Sequence, residues 1–235
     1  MRNIKYSLLV VLSVLATTVF AQNPYKDVAG FYEVNKMEFV SNLFLLEDKT
    51  FMFYATFGNV DIECWGNYTI EDDQITLQPD TNLMDEFEFY GTTNQTESLQ
   101  VYFLVPYGRE FTIKAANKVL PPLLEGDSFT SVSLPKTNQL TITYSSLENP
   151  KEQTLHVKLP ENTDEVRILY NRNASIIRQL TQKTFSTKSG EYATKYKKGM
   201  TEDLVKKLKL RINRKRTFTS FIKDEKKYEK LKLLR

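Results

Sequence analysis

The chain has 235 residues, 41% hydrophobic and 26% charged, with a formal net charge of +3, one cysteine and one histidine. This balance supports a globular body and excludes a disordered, collagen-like or disulfide-stapled chain. One His and one Cys also leave no zinc-type ligand set to assemble.

The first residues carry an export signature. Arg2 and Lys5 precede an apolar run from Leu8 to Phe20, and Val19 and Ala21 stand where a signal peptidase reads small side chains. Residues 1–21 are therefore expected to form a cleaved signal, with the mature chain starting near Gln22. No transmembrane span is expected once it is removed. The expected location is the periplasm, the cell surface or the medium. Cys64, alone in such a compartment, reads as a small buried hydrophobe.

From Gly30 to about Tyr170 apolar residues recur with period two. Gly58-Asn59 fits a two-residue hairpin turn. That turn sets Phe57 opposite Val60, Ala55 opposite Ile62, Phe53 opposite Cys64 and Phe51 opposite Gly66, all on one face. Thr56 with Asp61, Tyr54 with Glu63 and Met52 with Trp65 fall on the other, and a one-residue slip would destroy this sorting. A turn at Asp72-Asp73 likewise pairs Ile70 with Ile75 and Tyr68 with Leu77. Upstream the turn lies at Asp48-Lys49. A two-residue loop there puts Phe44 and Leu46 inside, and a three-residue loop puts Leu43 and Leu45 inside. The expectation is a four-stranded antiparallel meander, roughly Asn42 to Gln78, with an apolar strip on its second face that includes Met52, Tyr54 and Trp65. An antiparallel sheet usually keeps one face wet. The rest of the chain, an apolar ligand or a partner protein must therefore cover this strip.

Further strands are predicted at Glu86–Tyr90, Leu99–Val105, Phe111–Ile113, Phe129–Leu134, Leu140–Tyr144, Leu155–Leu159 and Val166–Tyr170. Turns or loops are predicted at Pro106-Tyr107-Gly108 and Pro121-Pro122. Strands at this spacing point to a barrel or β-sandwich. The fold class is mainly β: an antiparallel meander continued into a barrel or β-sandwich, with a basic helical C-terminal segment. The expected divisions are 1–21 signal, 22–80 meander, 81–175 its continuation and 176–235 a basic, largely helical segment.

The stretch LLEDKTFMF, then GNVD, CWGNYTI and ITL, resembles small secreted bacterial β-domains of lipocalin-like type. Asp48, Thr50, Phe51, Gly66 and Tyr68 carry the match, while Lys49 stands where Gly is usual. The resemblance spans about 40 residues, Leu43 to Leu77. It implies a binding or structural role rather than catalysis, and supplies no ligand residues.

His156 shares a strand face with Thr154 and Lys158 and reads as solvated, so no His-based triad is expected. No glycine-rich phosphate loop is present and no cofactor is expected. Glu71-Asp72-Asp73 lacks the glycine and spacing of a calcium loop and reads as a solvated turn. The candidate ligand-binding surface is Tyr54, Asp61, Glu63 and Trp65, two carboxylates beside aromatic rings that suit a sugar or cation.

Charge is partitioned along the chain. From Lys195 onward 16 Lys/Arg stand against 5 Asp/Glu, while residues 22–194 carry 14 basic and 24 acidic residues. Ile176, Ile177 and Leu180 suggest a short helix. Thr201 is a candidate N-cap, with Glu202 and Asp203 suiting the helix dipole. Leu204, Val205, Leu208 and Ile212 make an apolar stripe. Lys206, Lys207, Lys209, Arg211, Arg214, Lys215 and Arg216 form a candidate contact for a polyanion or an anionic membrane. The same segment could instead pack on the acidic body. The expected function is an exported non-catalytic binding module for an apolar small molecule or envelope component. The alternative is a structural or interaction protein meeting an envelope protein or an anionic membrane. Nucleic acid is the least favoured partner of an exported chain.

Overall fold

A computed structural model describes residues 23–36, 39–58, 60–93, 96–104, 111–119, 130–146, 151–181 and 183–234. The expected signal, the Pro106-Tyr107-Gly108 turn and the Pro121-Pro122 loop lie outside these residues. The protein is mainly β and divides into two compact units. Residues up to Pro79 with Leu180–Lys209 form the first, and Asp80–Gln179 with Leu210–Arg235 form the second.

The first unit opens with a short helix α1 (Pro24–Val28), capped by the Asn23 side chain. A meander follows: β1 (Gly30–Lys36), β2 (Phe39–Leu45), β3 (Thr50–Phe57), β4 (Val60–Glu71) and β5 (Gln74–Pro79). The expected pairs Phe53–Cys64, Met52–Trp65, Tyr54–Glu63 and Ile70–Ile75 are all present. Asp72 and Asp73 take φ values of 47° and 63°, which a tight two-residue turn demands. The β2–β3 loop takes the three-residue form. Leu46 and Thr50 close it, Lys49 adopts φ 69°, and Leu45 pairs with Phe51. Leu43 and Leu45 therefore lie with Phe51 and Phe53 on the inner face, all four buried. Strand β14 (Thr184–Ser186) adds to β5 and completes a six-stranded sheet. Tyr192 packs edge-on against Tyr32 and Phe185, and its hydroxyl lies 3.3 Å from that of buried Ser41.

The second unit is a β-sandwich. One sheet holds β6 (Phe87–Thr92), β7 (Leu99–Leu104), β10 (Thr130–Leu134), β13 (Glu165–Tyr170), β15 (Ser220–Lys223) and β16 (Lys226–Lys230), in the order β10-β7-β13-β6-β16-β15. The other holds β8 (Phe111–Ala115), β9 (Lys118–Val119), β11 (Gln139–Ser146), β12 (Gln153–Lys158) and β17 (Lys232–Leu234), in the order β17-β12-β11-β8-β9. One continuous core joins them, including Phe87, Phe103 and Ile168 from the first sheet and Ile113, Ile142 and Val157 from the second. All seven strands expected between Glu86 and Tyr170 occur.

A short helix α2 (Ala174–Leu180) follows β13, and α3 (Glu202–Arg216) is the basic helix. The Thr201 hydroxyl accepts from the Leu204 N–H at 3.2 Å, the N-cap bond expected. The first residues of α3 count with the first unit and its last with the second. Beyond Arg216 the structure departs from a largely helical reading, because the chain returns to strands β15, β16 and β17. Asp224 and Glu225, at φ 51° and 62°, turn β15 onto β16. Edge pairing to β6 and β12 outweighs the helical leaning of the Lys- and Leu-rich segment.

Candidate functional site

The four residues singled out on the meander share the outer face of the β3–β4 hairpin. The Tyr54 hydroxyl donates to Asp61 Oδ1 at 3.1 Å, and the Thr56 hydroxyl donates to the same oxygen at 2.9 Å. Glu63 faces Tyr54 across the strands and is partly exposed. Trp65, only 7% exposed, lies opposite buried Met52. A ligand reaching this face would meet Tyr54, Asp61 and Glu63 rather than the indole.

The basic helix splits by use. Lys209 pairs with Asp48 at 2.6 Å, and Lys207 pairs with Asp203 on the same helix at 2.7 Å. Arg216 clasps Asp80 through two hydrogen bonds of 2.7 and 3.0 Å. For Asp48 burial opposes ionisation, but its bonds from Lys209 and Thr50 outweigh burial and hold the carboxyl below its usual range. Lys206, Arg211, Arg214 and Lys215 remain on exposed positions. Leu208 and Ile212 of the predicted stripe are buried. His156 is exposed, with Nδ1 3.2 Å from the Thr141 hydroxyl, and Cys64 is buried and forms no disulfide. Among the described residues no group of three or more His, Cys, Asp or Glu gathers as a metal site, and no helix is long and apolar enough to cross a membrane.

Two features escape sequence reasoning. The first is a buried polar network on the outer face of the six-stranded sheet. Glu165 is 2% exposed and accepts from the Tyr228 hydroxyl at 2.6 Å and from Arg167 Nε at 3.2 Å. The Arg167 guanidinium lies over the Tyr228 ring at 4.7 Å. Burial first, then the bond to Glu165, pushes the Tyr228 phenol up to about 12. The alternation Glu165, Val166, Arg167, Ile168 marks one apolar face, but nothing in it reveals that Tyr228 closes over the other.

The second is a groove on the side of the sandwich. At Leu231 the chain leaves the six-stranded sheet after β16 and joins the five-stranded sheet as β17. Leu231 enters the core against Gly91, where an added Cβ would lie 2.9 Å from Leu231 Cδ2. Beside this crossing lies a cavity of about 480 Å³, walled by Phe87 and Phe89 of β6 on one side and by Leu231–Leu234 on the other. A second cavity of about 360 Å³ shares Asp85, Phe87 and Leu233 with it and continues to Tyr144, Leu155 and Arg178.

Two ion pairs lie at the groove. Lys230 pairs with Glu88 at 2.7 Å and Arg178 with Glu86 at 3.2 Å. The Tyr144 hydroxyl donates to Glu86 Oε2 and lies 2.8 Å from Gln153 Oε1 as well. Burial first, then Glu86, pushes its phenol well above the usual tyrosine range. Such a groove sets apolar side chains beside a few polar groups, the make-up of a ligand site.

No protein-family model matches the chain, and no curated protein or solved structure matches it. The site must be read from its own chemistry.

Proposed function

We propose that the protein is an exported, non-catalytic binding module whose ligand, an apolar small molecule or an envelope component, occupies the groove between β6 and β17. One observation carries this reading: two neighbouring cavities are lined in common by Asp85, Phe87 and Leu233. Its walls set the apolar side chains of Phe87, Phe89, Leu231 and Leu233 beside two ion pairs, Lys230 with Glu88 and Arg178 with Glu86. The lipocalin-like resemblance of Leu43 to Leu77 and the export signature belong to the same proposal. So does a non-catalytic role for Glu86, which Arg178 and Tyr144 engage together.

The test is native mass spectrometry of the mature protein purified from its own envelope. A retained extra mass, of a small molecule or of a bound envelope component, lost in a Leu233→Arg variant, is the expected result. A bare mass overturns the reading.

The alternative is an interaction protein. Leu210, Phe218 and Ile222 are 62, 51 and 78% exposed in the same stretch of chain as Lys206, Arg211 and Arg214. That mixture suits a protein partner or an anionic membrane. Co-purification of a stoichiometric protein that persists in the Leu233→Arg variant favours it.

A further inference from the structure

We infer that the groove takes an extended segment of a partner polypeptide, uncharged and apolar at alternate positions, which adds as the next strand beside β17. The inference rests on the groove being the ligand site and names the class of ligand.

The Leu159 N–H donates to the Asn138 carbonyl at 2.9 Å, and Leu140 pairs with Val157 two residues away. In an antiparallel ladder the main chain alternates sides residue by residue. Val157 therefore spends its N–H and C=O on β11, and His156 and Lys158 turn theirs to β17. Their partners there are Leu234 and Lys232. Leu233, between the two, must direct its N–H and C=O away from β12. Strand β17 ends its sheet, so these groups look along the sheet plane past its last strand. Leu233 also lines both cavities.

The chain itself shows how such an edge is filled. Strand β16 pairs with β6 only at Tyr90 and Gly91, and the Leu231 N–H reaches the Phe89 carbonyl at 2.8 Å before the chain departs. The groove begins where β16 stops, so it continues a strand-pairing position. Strand addition suits it because main-chain bonds supply affinity while pockets read alternate side chains. The partner's side chains would lie against Phe87, Phe89 and Leu231. A charged side chain is disfavoured at those positions because it would lose water against apolar side chains.

The probe is a capped hexapeptide of alternating valine and threonine, with a version carrying proline at its centre as control. Amide hydrogen exchange of the full mature protein reads the result. The alternating peptide is expected to slow exchange at Leu233 at least tenfold, and the proline peptide to leave it unchanged. A Leu233→Arg variant keeps the outward N–H but places a charge on the groove wall, and should lose the response. If that variant does not fold, the exchange comparison on the unsubstituted protein decides alone. No protection by either peptide, or equal protection by both, overturns the inference. A lipid-sized mass released by Leu233→Arg, with no peptide protection, would overturn this inference and leave the groove as the binding site.

Discussion

Glu225 sits in the left-handed region at φ 62°, as do Lys49, Asp72, Asp73 and Asp224. With 8 glycines in 235 residues, the chain turns several of its hairpins on ordinary residues and carries the steric cost at each of those. Glu225→Gly should therefore raise stability by about 0.5 kcal/mol, the relief of strain exceeding glycine's larger unfolded entropy. A higher urea midpoint at unchanged slope is the expected readout, and a lower midpoint would contradict it. Turn chemistry made Gly58 and Asp72-Asp73 legible in the sequence. It could not settle the loop at Asp48-Lys49, because Leu43 to Leu46 are apolar at both parities and either register buries two of them. Packing decided it: the Tyr68 hydroxyl donates to the Leu46 carbonyl at 2.8 Å, and Lys49 lies over the Tyr25 ring at 4.8 Å.

At the scale of elements, the C-terminal segment completes both units. Helix α3 buries Leu208 and Ile212, β16 covers the edge of β6, and Tyr228 and Leu231 are buried. Deleting residues 200–235 should leave exposed apolar surface, seen as strong binding of a hydrophobic dye and a loss of soluble yield. A truncated protein as soluble as the full chain, with unchanged dye binding, would count against this packing. The helix could be read from Thr201, its acidic first turn and its apolar stripe, because those signals are local. Strands β15 to β17 could not, since the lysines at 223, 226, 227, 230 and 232 blur the period-two pattern. Their partners, β6 and β12, lie far back in the chain.

At the scale of the whole molecule, five tyrosines bind the fold to pH. Burial raises the phenols of Tyr32, Tyr68, Tyr90, Tyr144 and Tyr228, with Tyr32 and Tyr228 reaching about 12. A raised folded value means that the fold holds the proton more tightly than the unfolded chain does. The stabilisation is complete below pH 10, the ordinary tyrosine value, and is lost as pH rises through 12. Phenolate absorbance should therefore rise in two stages, exposed tyrosines first and these five together with unfolding. A single smooth titration with the fold intact would count against their burial. Charge works at the same scale. The basic C-terminal region reaches the acidic body within each unit, Lys198 to Glu33 at 2.6 Å and Arg216 to Asp80 at 2.7 Å. Each such exposed pair contributes little alone, about 0–1 kcal/mol.

The sequence by itself determined most strands before Tyr170, the register of the β3–β4 and β4–β5 hairpins, the capped helix and the burial of Cys64. All of these follow from periodicity and turn or cap chemistry within a few residues. Only the tertiary structure decided the three-residue loop, the Glu165–Arg167–Tyr228 network and the groove at Leu233. Each depends on residues that meet across dozens of positions, and alternation within one segment cannot say which distant edge will pair with it. The groove exists because β16 and β17 pair with different sheets, a choice made by the edges that the rest of the sandwich leaves open.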